Sequence, residues 1–301
     1  MKAFQQLTDS VQPFQVERPG VRGQLVRLGP AVWDIVAPHD YPPPIASFLA
    51  ELVALATVLA SSLKYDGIFS LQLTGDGPMR LAAVDITHDG DVRGIARFDA
   101  ERLQSAQLPL QPSVPQLLGA GTMAFTVDQG DNTQRYQGVT ALEGTCLADC
   151  AHAYFRQSEQ VQAAIHVCSR RSIVPGIGAN AAALAIQRLP DPGIDDEEAE
   201  ENWRRTVLLM SSVTTQELLA SDVPPAALLY RLFHEEGVRM YRPRVIRHRC
   251  RCSRERVERT LGAFPRAELL AMADDGEFTV TCEFCKAVYQ IDAHTMGAAS
   301  V

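Results

Sequence analysis

The strongest pattern in the chain is an apolar stretch over residues 45–63, whose hydrophobic side chains recur at helical spacing. The stretch follows three consecutive prolines at positions 42–44, and proline is favoured in the first turn of a helix. Polar side chains interrupt it too often for a membrane span, at Ser47, Glu51, Thr57, Ser61 and Ser62. The pattern therefore predicts a long helix that is buried on most of its circumference in a protein core.

Shorter apolar or alternating segments surround this helix and are typical of β-strands. Two of them, residues 68–73 and 79–86, flank a turn rich in glycine, aspartate and proline, which indicates a hairpin. Residues 145–157 have the spacing of a second helix, and the prolines within 107–115 indicate a loop. Further strands are predicted over residues 13–28, 92–98, 121–127, 136–142, 161–167 and 181–189. Together these segments predict an α+β fold, with a strand-rich N-terminal domain over residues 1–192 that includes packed helices.

Residues 193–241 differ from this domain because their signals are helical. The boundary is the segment Pro190-Asp191-Pro192-Gly193, and the acidic residues that follow it favour a helix N-terminus. Two further helices are expected, one capped by Thr214 or Thr215 and one opened by Pro224-Pro225. Short amphipathic helices are marginal alone, so this helical linker must cover its apolar stripe by packing. That stripe consists of Trp203, Val207, Leu208, Met210 and Val213.

The composition and net charge of the chain limit the classes of function that it can have. The chain has 301 residues and a net charge of −8. Nucleic-acid binding depends on clustered Lys and Arg, so this balance argues against a general nucleic-acid binder. The N-terminus lacks the apolar region of a signal peptide, and we expect a cytoplasmic protein, with no membrane partner, whose thiols are kept reduced. Paired cysteines in that compartment are more typical of metal ligands or redox sensors than of structural disulfides.

Four of the seven cysteines form two close pairs near the C-terminus, Cys250-Arg-Cys252 and Cys282-Glu-Phe-Cys285. Zn²⁺ takes four soft ligands at tetrahedral corners, and a Cys-x-x-Cys turn supplies two thiolates. The same spacings allow each pair to be oxidised to a disulfide. Three interpretations follow: a structural zinc site, a zinc-bound redox switch and a catalytic dithiol. The redox switch is favoured.

The segment that carries these cysteines, residues 242–301, is short for an independent domain. Below about 60 residues a chain rarely buries enough apolar surface to fold alone, and a metal often compensates. Zinc, expected at one ion per reduced chain, would then be part of the fold of this C-terminal zinc-binding domain. Its loss should unfold the segment.

Several stretches of the chain resemble one known family across nearly its whole length. They are Leu63-Lys64-Tyr65-Asp66-Gly67, Gln72-Leu73-Thr74-Gly75-Asp76-Gly77-Pro78-Met79, Arg135-Tyr136-Gln137-Gly138-Val139, Leu142-Glu143-Gly144, Tyr154-Phe155-Arg156-Gln157-Ser158-Glu159-Gln160 and Cys250-Arg251-Cys252-Ser253-Arg254-Glu255-Arg256. With the Cys-x-x-Cys pair that follows, these motifs make the chain similar to the redox-regulated 33-kDa chaperonin family, also called heat shock protein thirty-three.

The resemblance implies a zinc-dependent holdase that uses no ATP and no catalytic residues. Cys250, Cys252, Cys282 and Cys285 would hold zinc as thiolates in the reduced, inactive form. Oxidants would pair Cys250 with Cys252 and Cys282 with Cys285, and zinc would leave. The zinc domain and the linker would then unfold and expose a surface for unfolded or oxidatively damaged client proteins. Oxidised members of the family tend to form homodimers.

Two alternatives from other classes remain open. A thiol–disulfide oxidoreductase would use Cys282 and Cys285, although the sequence lacks a thioredoxin-like context. A zinc-ribbon nucleic-acid binder would use the arginine run within residues 242–259. We interpret that run instead as a solvated face that lowers the thiol pKa values and pairs with the acidic linker.

The remaining patterns carry weaker signals. Cys146, Cys150 and Cys168 match no motif of the family. Cys146 and Cys150, four residues apart on one predicted helix, could contact a metal or each other, but they are expected to be structural, buried thiols. The segment from His234 to Val238 lacks the second histidine of a metalloprotease motif, and residues 176–178 lack the third glycine of a dinucleotide fingerprint. His248 is not needed as a ligand, because four cysteines complete a zinc shell.

Overall fold

The structure, a computed structural model, describes residues 8–18, 20–129, 135–156, 162–171, 179–190, 195–265, 268–269, 271 and 276–292. The strands are β1 (Ser10–Val16), β2 (Val21–Leu28), β3 (Ile68–Gly75), β4 (Met79–Thr87), β5 (Asp91–Phe98), β6 (Gly121–Asp128), β7 (Tyr136–Ala141), β8 (Ala163–Arg171), β9 (Ala179–Arg188), β10 (Val238–Met240), β11 (Arg244–Val245), β12 (Arg247–His248), β13 (Glu277–Thr281) and β14 (Val288–Asp292). The helices are α1 (Pro30–Val36), α2 (Pro43–Ser62), α3 (Ala100–Ser105), α4 (Val114–Leu118), α5 (Leu147–Tyr154), α6 (Asp196–Ser211), α7 (Thr215–Leu218), α8 (Pro225–Phe233) and α9 (Arg254–Leu261).

Two compact units divide the chain, residues 1–248 and residues 249–301. The first unit contains two sheets and the helices α1 to α8. Its first sheet has the order β10-β1-β2-β9-β8, with β11 also pairing with β1, and its second sheet has the order β12-β5-β4-β3-β6-β7. The α+β fold class predicted from the sequence is confirmed.

Helix α2 forms the centre of the first unit. It contacts strands of both sheets, and its side chains from Ile45 to Ala60 are almost all buried in one large hydrophobic cluster. The helix begins at Pro43, as the proline run predicted. By length and composition it would suit a membrane span, but 83% of its most apolar window is buried inside the protein. It packs as the predicted core helix.

The first sheet is covered on both faces. One face packs on α1 and α2, and the other packs on the linker helices α6, α7 and α8. Phe14 of β1 stacks on Phe233 of α8, with ring centroids 5.7 Å apart. Gly23 lies opposite Phe14 on β2, and a Cβ atom there would meet the Phe14 ring at 2.1 Å. The missing side chain at Gly23 therefore leaves room for the aromatic contact that docks α8.

The helical signals of the linker are confirmed. Asp195 caps α6, Thr214 caps α7 in a capping box with Glu217, and Pro225 begins α8. Met210 and Val213 are buried against the first sheet, and Trp203 and Val207 are partly buried there. Leu208 is 64% exposed, so its assignment to the apolar stripe was wrong. The linker lies within the first unit, docked on the sheet.

Some local predictions were wrong. The single strand expected over residues 13–28 is two antiparallel strands, β1 and β2, joined by a turn in which Gly20 has a φ of 58°. Glycine adopts this left-handed conformation without steric cost, which allows the reversal. The loop expected over residues 107–115 ends at Ser113, where a capping box with Gln116 begins α4. Helices α1 and α3 were not predicted. Residues 176–178, considered as a glycine motif, lie outside the described residues.

The second unit contains α9 and the antiparallel hairpin β13-β14. Its described core is small, with only Leu269, Phe278 and Ile291 buried. Val257, Leu261, Val280 and Tyr289 pack partly against them. The described part of this unit therefore buries little apolar surface, in agreement with the expectation that it needs another source of stability.

Candidate metal centre

The four cysteines of the two C-terminal motifs come together within the second unit. Cys250 and Cys252 directly precede α9, whose first turn is capped by Ser253 accepting a hydrogen bond from the Arg256 amide. Cys282 and Cys285 lie in the turn between β13 and β14. The Cys282 amide donates to the Ala287 carbonyl at 2.8 Å, which closes this turn. The hairpin register thus places both sulfurs of the Cys-x-x-Cys pair next to those of the Cys-x-Cys pair.

The sulfur positions fit a tetrahedral metal site. All four Sγ atoms lie within 4.8 Å of one another. The Sγ atoms of Cys250 and Cys282 are 3.7 Å apart, and those of Cys252 and Cys285 are 3.4 Å apart. A zinc ion bound tetrahedrally at about 2.3 Å from each sulfur requires sulfur separations of about 3.8 Å. A disulfide requires about 2.05 Å, so the cysteines are free thiols in this arrangement.

The electrostatics of the four sulfurs also suit a cation. Burial raises the pKa of Cys250, but hydrogen bonds from the Cys252 amide and from neighbouring thiols outweigh burial and bring it to about 7. The pKa values of Cys252 and Cys285 are raised, chiefly by burial, and the thiols of Cys250 and Cys282 raise both of them further. One thiolate is therefore stabilised by the other thiols, whereas several thiolates this close repel one another. A bound dication would remove that penalty, which makes the donor set suitable for zinc.

A tyrosine hydroxyl contacts the sulfur cluster. Tyr289 of β14 donates a hydrogen bond to Cys252 Sγ at 3.0 Å, and this bond raises the pKa of Tyr289 to about 12. Hydrogen bonds of this kind orient metal ligands and reduce the charge on the ligand atom. The sequence analysis missed Tyr289. Its signal would have been the strand alternation after Cys285, which turns alternate side chains toward the core.

The other three cysteines do not join this cluster. Cys150 is buried, as expected, and Cys168 is buried as well. Burial raises the pKa of Cys150 to about 11 and that of Cys168 to about 12. Cys146 is exposed at the N-cap of α5, so the expectation of a buried thiol was wrong there. Among the described residues, the C-terminal four form the one group of three or more potential metal ligands.

The remaining candidate residues have structural contacts. His234 bonds the Tyr230 carbonyl, and Glu236 pairs with Arg205 at 2.9 Å. His248 lies on β12, in the first unit, and is not part of the sulfur group. The dominant influences on the pKa of Cys250 are burial and hydrogen bonds inside the cluster, rather than the arginine run.

Ion pairs are described both for the acidic helix α6 and for the arginine run. Glu200 pairs with Arg188, and Glu201 pairs with Arg204. Within the run, Arg247 pairs with Asp91, and Arg254 pairs with Glu258. The predicted pairing between the run and the acidic linker stays a prediction.

Comparisons with known proteins agree over almost the entire chain. A family model described as Hsp33 protein matches residues 9–292. A 33 kDa chaperonin of Caulobacter vibrioides is 38% identical over 290 residues, which is 95% of each chain. One of Azotobacter vinelandii is 37% identical over 288 residues, covering 95% of this chain and 92% of the relative.

A solved structure matches as well. The crystal structure of a 33 kDa chaperonin, a heat shock protein 33 homolog from Thermotoga maritima, superposes with a TM-score of 0.79. The two sequences are 21% identical, and the match covers 96% of each chain. This likeness supports the fold.

Proposed function

The chain belongs to the Hsp33 family, and from that premise we propose that it is an ATP-independent holdase switched on by oxidation. Membership of this family and the chaperonin names of its relatives make the protein a chaperone. The finer proposal concerns its control: the reduced, zinc-bound form is inactive, and oxidation exposes the surface that binds unfolding proteins. The observation that carries it is the group of four thiols within 4.8 Å of one another in a unit with a small core.

Cys250, Cys252, Cys282 and Cys285 would hold the zinc, which when bound supplies positive charge that keeps four thiolates together. The same ionised sulfurs are the form that peroxide attacks. In each pair, two thiolates lose two electrons and form one disulfide, while one peroxide takes up those electrons and two protons from solvent and becomes two water molecules. We propose the pairs Cys250–Cys252 and Cys282–Cys285, as the resemblance to the family implies. Each disulfide removes two of the four donors, so the tetrahedral set is lost.

The consequence of losing the donors follows from the size of the second unit. Its described core is Leu269, Phe278 and Ile291, too little to stabilise about 50 residues without a metal. We propose three functional segments: a chaperone core at residues 1–192, a metastable linker at 193–241 and a redox-switch domain at 242–301. After oxidation the switch domain unfolds and the linker leaves the first sheet.

The client surface would be the apolar face that the linker covers. Phe14, Val16, Leu25 and Leu184 of the first sheet are buried under the linker helices. An uncovered patch of this kind binds other apolar chains. Binding to unfolded chains in preference to folded ones keeps clients from aggregating without a chemical step. We further propose that the protein acts in the cytoplasm, that it has no catalytic residue and that the oxidised form dimerises.

The test compares reduced and peroxide-treated protein in a light-scattering assay with a heat-unfolding client. We expect the reduced protein to contain about one zinc per chain and to leave aggregation unchanged. The oxidised protein should have released its zinc and should suppress scattering. Chaperone activity with the metal retained would contradict the proposed switch. Reduced protein that, supplied with a thiol reductant, reduces disulfide substrates in repeated turnovers would favour the oxidoreductase instead.

A variant pair tests the ligand assignment in the same assay. Cys282→Ser should lower zinc content well below one ion per chain and raise activity under reducing conditions. Cys146→Ser is the matched control, because Cys146 is an exposed cysteine outside the sulfur group. It should leave zinc content and oxidant response unchanged. Equal behaviour of the two variants would overturn the assignment of Cys282 as a ligand.

A further inference from the structure

An arginine is buried between the first sheet and the linker. Arg27 stands on β2, two residues from Leu25, and strand alternation places both side chains on the face that packs against the linker helices. Only 4% of Arg27 is exposed, although arginine is rarely buried unless it is paired. This position therefore needs partners that compensate the loss of water around a charged group.

Those partners are backbone carbonyls of the linker. The guanidinium donates from Nη2 to the Glu217 carbonyl at 2.9 Å and from Nη1 to the Val223 carbonyl. Its Nε atom is buried and has no partner among the described residues. No ion pair to a carboxylate is described for Arg27 either, and burial lowers its pKa. The hydrogen bonds of this buried cation thus connect β2 to the turn between α7 and α8.

We propose that Arg27 is a positioning residue that holds the α7–α8 turn, residues 217–223, on the first sheet and so sets how easily the linker is released. Hydrogen bonds from a charged donor to buried carbonyls are among the stronger polar contacts in a protein. The bonds span about 190 residues of sequence, so they form only when the linker is docked. The regulatory consequence rests on the proposed function, whereas the contact itself can be tested in the resting protein.

Cys168 provides a reporter within the same covered face. It stands on β8, is 6% exposed and belongs to the apolar cluster under the linker. Cys150 is an equally buried thiol, at 0% exposure, in the other cluster of the first unit, away from the linker. Labelling of Cys168 therefore reports release of the linker, while labelling of Cys150 reports a general opening of the domain.

The experiment measures initial rates of labelling by a neutral thiol reagent in reduced, zinc-loaded full-length protein, with peptides resolved by mass spectrometry. Rates are taken while the zinc content is unchanged. Arg27→Met should speed labelling of Cys168 by about 10- to 100-fold, the loss expected for charge-assisted hydrogen bonds to linker carbonyls, and leave Cys150 unchanged. Arg27→Lys keeps a charge and a donor for one carbonyl, so it should restore part of the protection.

Arg188→Met is the matched control. Arg188 lies on β9 of the same sheet and also bonds a linker side chain, that of Glu200, but the pair is partly exposed to solvent. Exposed pairs contribute little, so labelling of Cys168 should change by less than about fivefold. Hydrogen exchange of the α7 and α8 amides offers a second measurement without thiol chemistry. It should rise in Arg27→Met and not in Arg188→Met.

Three results would overturn the inference. Unchanged Cys168 labelling in Arg27→Met would show that the bonds do not hold the linker, and slower labelling would show that the buried charge weakens docking. A parallel rise in the labelling rates of Cys168 and Cys150 would show a general loss of stability. If Arg27→Met fails to fold, the comparison is repeated with Arg27→Lys. Faster Cys168 labelling without any holdase activity after oxidation would support the role of Arg27 and contradict the proposed function.

Discussion

Burial raises the pKa of two ionisable side chains of this protein, Cys250 and Glu51, but their net pKa shifts have opposite directions. At Cys250, hydrogen bonds from the Cys252 amide and the neighbouring thiols outweigh burial and lower the pKa to about 7. At Glu51 on α2, burial is the larger effect and raises the pKa of the carboxyl, while hydrogen bonds from Ser169 only partly oppose it. The cysteine thus lies in a site suited to carry charge, whereas the glutamate charge is a cost to the fold.

Glu51→Gln should therefore stabilise the first unit at neutral pH. In the folded protein the pKa of Glu51 lies above its ordinary value of 4.5. The contribution of this carboxyl to the free energy of unfolding is therefore fully present below that value and is lost as pH rises through the folded pKa. Glutamine keeps an acceptor for Ser169 without the charge. We expect the melting temperature to rise by a few degrees at neutral pH and the difference to shrink toward acid pH.

Tryptophan fluorescence can follow this change, because both tryptophans of the chain, Trp33 and Trp203, lie in the first unit. Glu235→Gln, at an exposed position, is the control and should show no comparable pH-dependent gain. If Glu51→Gln melted at a lower temperature than the original protein at neutral pH, the carboxylate would be stabilising and the argument from burial would be wrong.

At the scale of elements, the linker helices are held on the first sheet by a few side chains. Helix α7 has four residues and α8 has nine, so neither is stable by propensity alone. Their docking depends on buried side chains such as Leu228, Leu229 and Phe233 and on the bonds of Arg27. An element stabilised mainly by tertiary packing can leave its site when a modest amount of packing energy is lost.

Truncating one of these side chains should loosen the linker. Leu229 is fully buried on α8, and a Leu→Ala change at such a site costs about 2–5 kcal/mol. Leu229→Ala should show faster hydrogen exchange across α7 and α8 and should suppress client aggregation even when reduced. Leu208→Ala is the matched control, because Leu208 is 64% exposed on α6, and such changes stay within about 0.5 kcal/mol. Similar exchange rates in the two variants would contradict this account of linker docking.

At the scale of the whole molecule, the two compact units differ in how they are stabilised. Residues 1–248 contain two sheets, the buried helix α2 and large apolar clusters. Residues 249–301 contain a hairpin, one helix and a described core with only three buried apolar side chains. The large apolar burial in the first unit stabilises it without a metal, and the small described core of the second unit is the reason for proposing that it needs the metal.

Removing the metal under reducing conditions should therefore unfold one unit selectively. After treatment with a strong chelator, the amides of β13 and β14 should lose their protection from hydrogen exchange, and those of β3, β4 and β6 should keep theirs. Adding back zinc should restore protection in the hairpin. If β13 and β14 stayed protected in protein that metal analysis showed to be free of zinc, the metal would not be part of the fold.

The sequence by itself determined the features that depend on local patterns. Helical spacing and prolines located α2. Acidic residues located α6, a capping threonine α7 and a proline pair α8, and the cysteine spacing identified the four sulfurs that the structure brings together. Each of these signals lies within a few residues of the element it predicts. The strand predicted over residues 13–28 failed for the same reason, since its apolar pattern continues through a turn at Gly20.

Only the tertiary structure decided which distant residues meet. The bonds of Arg27 to the α7–α8 turn, the hydroxyl of Tyr289 on Cys252 and the ring of Phe14 over Gly23 each join segments far apart in the chain or in different strands. No local pattern encodes such pairs, because they depend on strand register and on how helices pack across a sheet. In the sequence alone, Arg27 looks like an ordinary polar residue of a strand. It is buried because the linker covers it in the folded structure.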